Sequence, residues 1–186
     1  YKSTSYGTDE LAAYGIGIQL WLFGAFFIDG YSSAGNILSG RLLGAKEYDT
    51  LLSLGKKLIG YGLSAGIFLA GIGFLCYEFI GEVFIQDRSV LQRFYEIFWI
   101  ILIMQPICAI TFIFDGMFKG MGYTAFLRNL LLLSTLLVFI PSLLIFDAYN
   151  YKLEGVWFTF LLWILARGIP LLLKFRRKFL PLVEKK

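Results

Sequence analysis

Histidine is absent from this sequence of 186 residues, and cysteine occurs only twice, at Cys76 and Cys108. Without histidine, the sequence offers no imidazole for a zinc site and no base that could activate a serine or cysteine nucleophile. Both cysteines lie inside apolar runs, so we interpret them as buried thiols rather than as a disulfide or metal ligands. The run from Gly40 to Gly44 lacks the Lys-Ser/Thr ending of a phosphate-binding loop. These absences argue against an enzyme and against a bound metal or cofactor.

Charged residues are also scarce, at 16% of the chain, whereas 58% of the residues are hydrophobic and 18% are aromatic. A soluble domain needs about a quarter of charged residues to cover its surface, so this composition indicates lipid as the solvent. The net charge of +4 could suggest nucleic acid as a partner. The basic residues, however, fall in short clusters between apolar runs rather than on one amphipathic face. We therefore expect the lipid bilayer, and not nucleic acid, to surround this chain.

The sequence begins at Tyr1 rather than at methionine, and its first nine residues are polar. They contain neither a basic segment nor a small-residue cleavage site, so they do not resemble a signal peptide. We therefore expect the chain to be a fragment or a processed piece of a longer protein.

Five apolar segments are long enough to cross a membrane, since about 20 helical residues span the ~30 Å of hydrocarbon. Each segment must be helical, because an open strand would leave backbone donors unpaired in lipid. The sequence therefore predicts an all-α integral membrane protein with five transmembrane helices in one domain. The predicted spans cover residues 11–39, 58–80, 94–114, 127–146 and 156–173.

The distribution of Lys and Arg predicts the orientation of these spans, because cytoplasmic loops carry an excess of both. One side has only Lys2, Arg88, Arg93 and Lys152, and Arg167 falls within the last span. The richer side, which includes the C-terminus, should be cytoplasmic, most simply in the inner cell membrane. Its basic residues are Arg41, Lys46, Lys56, Lys57, Lys119, Arg128, Lys174, Arg176, Arg177, Lys178, Lys185 and Lys186.

Asp29, Asp115 and Arg167 lie within or directly beside predicted spans, where a charge is costly unless it faces a cavity or a partner. Asp115, near the cytoplasmic end of the third span, is either a helix-end carboxylate within reach of cytoplasmic Lys or Arg, or a gate or coupling group. Asp29, deeper in the first span, is a second candidate for coupling. Arg167 either extends its long side chain to the cytoplasmic face or forms an ion pair with Asp29 or Asp115.

Small residues are frequent in the first span, and its segment 29–36 is nearly polar. This span cannot face lipid all round, so it either packs against other helices or bends beside a water-filled cavity. Two Gly-x-x-x-Gly pairs follow, at residues 62 and 66 and at residues 116 and 120. In a bundle of several spans, we expect such pairs to make internal helix contacts more often than a dimer interface.

Several polar and aromatic side chains are candidates for lining a cavity. Gln105, just before Pro106, either offers a hydrogen bond to a cavity or joins two helices. Tyrosine and tryptophan rings favour cations and flat organic molecules, although tryptophan also anchors helices at the membrane interface. The candidate lining residues are Tyr14, Gln19, Trp21, Asn36 and Gln105.

Three motifs in register resemble one family. The run DGYSSAGNILSGRLLGAK at residues 29–46 resembles the second helix and following loop of a lobe in multidrug and toxic compound extrusion (MATE) transporters, and is closest to the DinF-like branch. FDGMFKGMG at residues 114–122, followed by Arg128, is similar to the end of helix ten in that branch. LEGVW at residues 153–157 is similar to the start of helix twelve. The resemblance covers Leu11 to about Phe179.

This resemblance implies a fold of twelve helices in two lobes, of which the chain would supply helices eight to twelve. The N-terminal lobe and helix seven would then be required partners. The implied activity is secondary active antiport, in which small organic, often cationic, compounds are exported by alternating access in exchange for protons or sodium. The best-known coupling carboxylate of the branch lies on the first helix, which this chain lacks. Asn36 stands where many relatives carry an acidic residue.

Two other functions stay open at this point. The first is a lipid-linked saccharide flippase of the wider superfamily, although its cavity would be richer in Arg and Lys than Arg167 provides. The second is a membrane fragment that does not transport, since half of an alternating-access transporter cannot close a cavity by itself.

Overall fold

The computed structural model of this protein describes residues 7–184, and every regular element in that range is a helix. Five helical spans are long and apolar enough to cross a membrane, which confirms the predicted all-α membrane fold. Lys2, Lys185 and Lys186, which the topology prediction includes, lie outside the described residues. The elements are α1 (Thr8–Gly44), α2 (Tyr48–Leu75), α3 (Tyr77–Phe84), α4 (Arg88–Gly120), α5 (Thr124–Ser134), α6 (Ile140–Ala148) and α7 (Lys152–Glu184).

α4 is the central helix of the bundle, because α1, α2 and α7 all pack against it. In its most apolar stretch 61% of the residues are buried, compared with 28% in α1 and 22% in α2. The core therefore lies along α4 rather than between the outer helices. Its fully buried large side chains from α4 include Phe94, Ile97, Ile100, Ile101, Met104, Ile113, Phe114 and Phe118.

α1 turns its small and polar residues towards the bundle and its large apolar residues away from it. Phe23, Phe26 and Phe27 are exposed on the outer face. In lipid, a large apolar side chain gains little by moving from the bilayer into protein, so helices associate through small residues that let their backbones approach. The glycine-rich first span forms one unbroken helix. Its buried residues are Glu10, Ala13, Gly17, Gly24, Ile28, Ser32, Gly35 and Ser39.

Gly116 and Gly120 of α4 lie directly against the backbone of α1. A Cβ atom on Gly116 would clash with Ser32, and one on Gly120 would clash with the backbone of Asn36. The glycines at residues 62 and 66 of α2 likewise face α4. Both Gly-x-x-x-Gly pairs therefore make contacts inside the bundle, as predicted.

Two serine hydroxyls of α1 donate hydrogen bonds to backbone carbonyls of α4 along this contact. Ser32 Oγ donates a hydrogen bond to the carbonyl of Phe112 at 2.8 Å, and Ser39 Oγ donates to the carbonyl of Met117 at 2.9 Å. A hydroxyl inside a membrane bundle needs an acceptor, and a neighbouring backbone carbonyl supplies one. Within the polar segment 29–36, Ser32 thus serves helix packing.

The helix that contains most of the second predicted span, residues 58–80, has bounds that differ from those of the span. α2 begins earlier, at Tyr48, because its first turns are helical but too polar for the hydrocarbon core. It ends at Leu75, since Cys76 leaves the helical conformation (φ −105°, ψ 13°) before α3 begins. Hydropathy does not register this break because apolar residues continue through it.

The fourth span, Thr124–Ala148, lies at the edge of the bundle and packs mainly on α7. A π-helical turn at Thr135–Phe139 joins α5 to α6. Trp163 of α7 donates its indole N–H to the hydroxyl of Thr135 at 3.1 Å, which fixes this turn to the bundle.

Basic residues that the sequence assigns to opposite sides of the membrane lie at opposite ends of the bundle. Lys174 and Lys178 of α7 lie over the ring of Tyr123, in the turn that connects α4 to α5. At the other end, Arg93 and Lys152 both reach Glu10 at the start of α1. These positions agree with alternating spans, and which end is cytoplasmic stays a prediction.

Candidate functional site

A buried ion pair joins α4 to α7. Arg167 donates a hydrogen bond from Nη2 to Oδ2 of Asp115. The two side chains are 15% and 12% exposed, respectively. The guanidinium carbon of Arg167 also lies 4.8 Å from the centre of the Trp163 ring. Both charges are therefore largely shielded from water. Removal of either residue would leave the other charge buried without a partner, which is energetically costly.

Close packing of α4 on α7 places these charges. Thr111 Oγ1 donates to the carbonyl of Ile164 at 3.2 Å, and Gly168 leaves the space that the Thr111 side chain occupies. Residues four positions apart lie on one face of a helix, so the contact at Thr111 directs Asp115 towards α7. Gly168 similarly brings its neighbour Arg167 close to α4.

The ion pair decides between the interpretations that the sequence left open. Arg167 pairs across the bundle, and Asp115 rather than Asp29 is its partner. The partner of Asp115 is in turn an arginine within a membrane span, not a basic residue of a cytoplasmic loop. Whether Asp115 serves as a gate or coupling group stays a prediction.

An apolar groove of about 860 Å³ opens between α1, α2, α3 and α4. Gln105 lies in it, 5% exposed, and Gln19 lies on its exposed side. The remaining lining residues are Leu11, Ala12, Gly15, Ile16, Leu20, Phe23, Gly24, Leu69, Ile72, Gly73, Ile80, Phe84, Phe98, Ile101 and Leu102.

The other two candidate pathway residues have exposed side chains on α1. Asp29 is exposed and makes no hydrogen bond or ion pair with any residue between 7 and 184. Asn36 is exposed as well, although its backbone carbonyl touches Gly120. Among the five candidates, the structure thus joins Asp115 to Arg167, places Gln105 in the groove, and leaves Asp29 and Asn36 on the surface of this bundle.

Two aromatic candidates pack between helices instead of lining the groove. The Tyr14 ring lies 6.0 Å from that of Trp157. Trp21 donates its indole N–H to Cys108 Sγ at 3.4 Å. Both rings therefore connect α1 with the α4 and α7 side of the core.

Sequence reasoning missed a second group of charges at the opposite end of the bundle. Glu10 lies 3.8 Å from both Arg93 and Lys152, and Arg93 also pairs with Glu96 at 3.0 Å. These residues come from three helices, and each stands at a polar end of a span, so no local motif identifies them. Within residues 7–184, no group of three or more acidic, cysteine or histidine residues could hold a metal ion.

A comparison with known protein families matches residues 3–144 to the model named MatE. The match includes Asp29, Gln105 and Asp115, whereas Arg167 lies beyond it.

Curated relatives give a consistent result. The chain is 28% identical over 167 residues to protein DETOXIFICATION 42 of Arabidopsis thaliana, an alignment that covers 87% of this chain and 31% of that protein. It is 28% identical over 116 residues to protein DETOXIFICATION 45, chloroplastic, of the same plant, with coverage of 62% and 21%. For protein DETOXIFICATION 44, chloroplastic, also from Arabidopsis thaliana, identity is 25% over 166 residues, with coverage of 87% and 30%. The chain thus spans less than a third of the length of these relatives.

Proposed function

Because this chain belongs to the MatE family, we propose that it is part of a secondary active transporter that exports small organic compounds. The observation that carries this proposal is the family match over residues 3–144, on a bundle of five membrane-crossing helices. In the proposed mechanism, a central cavity opens alternately to the two sides of the membrane, and inward flow of protons or sodium drives export.

We assign the chain to the C-terminal lobe of the DinF-like branch, as helices eight to twelve. The motifs at residues 29–46, 114–122 and 153–157 support this assignment. An N-terminal lobe and a further helix would then complete the cavity, and the exposed residues of α1, including Asp29, would be available to them. The names of two relatives contain the word chloroplastic, so an organelle membrane is the alternative to the inner cell membrane as the location.

The proposed role of the Asp115–Arg167 pair is that of a gate between α4 and α7. Protonation of Asp115, or a sodium ion beside its carboxylate, would weaken the attraction to Arg167 and free the two helices to separate. The ion that drives transport would thereby change the packing of two helices. Asp29, exposed and without a partner among the described residues, is the proposed second coupling group.

A flippase for lipid-linked saccharides fits less well. Such a substrate carries phosphate and would require basic residues in its cavity. The groove described above is lined by no charged residue between positions 7 and 184. Arg167 already has a carboxylate partner within the bundle.

Dye efflux from drug-sensitive cells tests the proposed function. This chain and the full open reading frame that contains it are expressed separately, under an imposed proton or sodium gradient. Efflux from the full frame alone is the expected result. Absence of efflux from both would overturn the proposal and favour a flippase or an inactive relative.

A further inference from the structure

Two arginines near the end of α7, Arg176 and Arg177, carry charges that have no partner among residues 7–183. Both side chains are exposed, and neither forms a hydrogen bond or ion pair within that range. The neighbouring Lys174 and Lys178 have their ammonium groups over the ring of Tyr123, 5.8 and 4.1 Å from its centre. An aromatic ring attracts a cation but leaves its charge in place. This end of α7 is therefore strongly positive.

The position of these charges along α7 matches the surface of a bilayer. Between Lys152 and Lys174 the helix rises by about 33 Å, at 1.5 Å per residue. The hydrocarbon core of a bilayer is about 30 Å thick. Because Lys152 and its partner Glu10 mark one polar end of the bundle, Lys174 lies near the opposite surface. Arg176 and Arg177 follow within the next turn, at the depth of the lipid headgroups.

An exposed apolar stripe of α7 leads to the two arginines. Ile169 and Leu173 are exposed before them, and Leu180 is exposed one turn beyond them. The leucines and arginines follow the spacing i, i+3, i+4, i+7 from residue 173 to residue 180, so they share one face of the helix. We call Leu173, Arg176, Arg177 and Leu180 the arginine face of α7.

The opposite side of α7 fixes the arginine face in this direction. Phe175 and Phe179 are buried there. The Phe175 ring packs on Phe114 and Phe118 of α4, and the Phe179 ring stacks on Tyr48 of α2. The helix therefore cannot rotate to cover its arginines without losing these ring contacts.

We propose that the arginine face binds an anionic phospholipid, with its phosphate at Arg176 and Arg177 and its acyl chains along Ile169 and Leu173. A guanidinium donates two parallel hydrogen bonds to phosphate oxygens, which an ammonium group cannot do. The order along the helix, apolar within the bilayer and basic at its surface, is that of a phospholipid in its own leaflet.

The arginine face fits two other ligands less well. A soluble phosphate compound or an acidic protein segment would pair with the arginines but would not use the apolar residues one turn deeper. A zwitterionic lipid has the same acyl chains and phosphate, but its own cationic group is repelled by this end of α7. Charge complementarity therefore favours an anionic headgroup.

This inference is independent of the proposed transport function. Lipid binding is measured without a transported substrate and without an ion gradient. Its failure would leave the transport proposal intact, and absence of efflux would leave the lipid site intact.

The test uses the full-length protein that contains this chain, reconstituted into phosphatidylcholine vesicles. In a background without other cysteines, a bimane fluorophore is attached through Leu173→Cys, where brominated acyl chains quench it on contact. Dibrominated phosphatidylglycerol is compared with dibrominated phosphatidylcholine at equal mole fraction. We expect phosphatidylglycerol to bind there about tenfold more tightly, since each basic residue near a bilayer surface contributes about fivefold in affinity.

Two double variants separate the arginine face from the general charge of the protein. Arg176→Gln with Arg177→Gln should lower the preference for phosphatidylglycerol about fivefold and leave quenching by phosphatidylcholine unchanged. Arg41→Gln with Lys57→Gln is the matched control. It also removes two exposed charges on the same predicted side of the membrane, but from the cleft between α1 and α2. The preference should persist in this control.

Three results in this comparison would overturn the inference. Equal quenching by the two lipids would show that the arginine face does not select an anionic headgroup. A preference that survives in the arginine variant would place the lipid site elsewhere. An equal loss in the control variant would assign the preference to the overall surface charge.

Two further measurements distinguish lipid from other ligands of this face. Absence of quenching by both lipids would show that protein covers the arginine face, which would also overturn the inference. Glycerol phosphate, which carries the phosphate without acyl chains, should leave quenching by phosphatidylglycerol unchanged. Displacement of the lipid by this compound would assign the arginines to a soluble phosphate instead.

Discussion

Asp115 of α4 and Arg167 of α7 form an ion pair within the bundle although 52 residues separate them in the sequence. Each charge lies on a long helix that could cross the membrane by itself, so their pairing depends on how α4 and α7 pack together. This dependence makes the pair sensitive to any movement between the two helices.

Asp115→Asn should destabilise the protein by about 3 kcal/mol, because Arg167 would be left buried without a counter-charge. The double variant Asp115→Leu with Arg167→Leu should recover most of this stability, since a buried ion pair can be exchanged for apolar residues at little cost. If the pair is a gate, efflux should be lost in both variants. Thermal unfolding in detergent and dye efflux report these two effects, and recovery of efflux in the double variant would contradict the gate.

Asp29→Asn should leave stability within about 0.5 kcal/mol of the unmodified protein, because Asp29 is exposed and has no partner between residues 7 and 184. If Asp29 carries protons, the same variant should abolish efflux driven by a pH gradient while expression stays normal. Unchanged efflux would remove Asp29 from the coupling mechanism. The variant also serves as a control for Asp115→Asn, since both remove one carboxylate charge.

Gly120→Ala should lower stability by about 1–3 kcal/mol, because the new methyl group would force the backbones of α4 and α1 apart at Asn36. Gly60→Ala is the matched control. A Cβ at Gly60 meets nothing within 4 Å, so the helix should gain about 0.5–1 kcal/mol from the loss of glycine flexibility. Thermal unfolding of the two variants should therefore shift in opposite directions, and equal shifts would refute the close contact.

Asp87 should make the start of α4 sensitive to acid. The hydroxyl and the backbone N–H of Ser89 donate to its carboxylate, each at 2.8 Å, and these bonds lower the pKa of Asp87. A lowered pKa in the folded state stabilises this end of the helix above the ordinary value of about 4, and the stabilisation is lost as the pH falls through the lowered value. Protection of the Ser89 and Val90 amides from hydrogen exchange, corrected for intrinsic rates, should therefore decrease below about pH 4.

Asp87→Asn provides the control for this effect. The amide oxygen can still cap the helix, but it does not titrate in this range. Amide protection in this variant should stay constant over the same pH interval. A decrease equal to that of the unmodified protein would assign the acid sensitivity to another group.

Cysteines placed at the two ends of the bundle should report its orientation. In a background without other cysteines, Tyr149→Cys should react with an impermeant maleimide added outside intact cells, because Tyr149 is 74% exposed in the turn before α7. Lys46→Cys, in the exposed turn after α1, should react only after the membrane is permeabilised. The opposite pattern would reverse the topology that the basic residues predict.

The sequence was sufficient to predict the number and type of the spans, because hydropathy reports the lipid environment directly. It could not define helix ends. The helices continue beyond the hydrocarbon core, as at Tyr48, and a break such as Cys76 lies within a continuing run of apolar residues. The inner face of α1 was recognisable only as an excess of small residues, since packing in lipid reverses the usual hydrophobic pattern.

Site residues were predictable in part. The cost of a membrane-embedded charge singled out Asp115 and Arg167, and only the crossing of α4 and α7 could show that they meet. The contact of the Gln105 amide with Gly24 could not be deduced, because it depends on how α1 and α4 pack together. The Glu10 cluster was missed because its members stand at the polar ends of three different helices.

The serine hydroxyls on α1 also bear on how this protein is made. The acceptors of Ser32 and Ser39 lie on α4, 80 and 78 residues further along the chain. During synthesis α1 therefore enters the membrane well before the carbonyls of Phe112 and Met117 exist. Until α4 is inserted, the hydroxyls of Ser32 and Ser39 face lipid, the carbonyls of the preceding turn of α1, or the insertion machinery. Biogenesis of this bundle thus includes an interval in which Ser32 and Ser39 lack their acceptors on α4, and translation of α4 ends it.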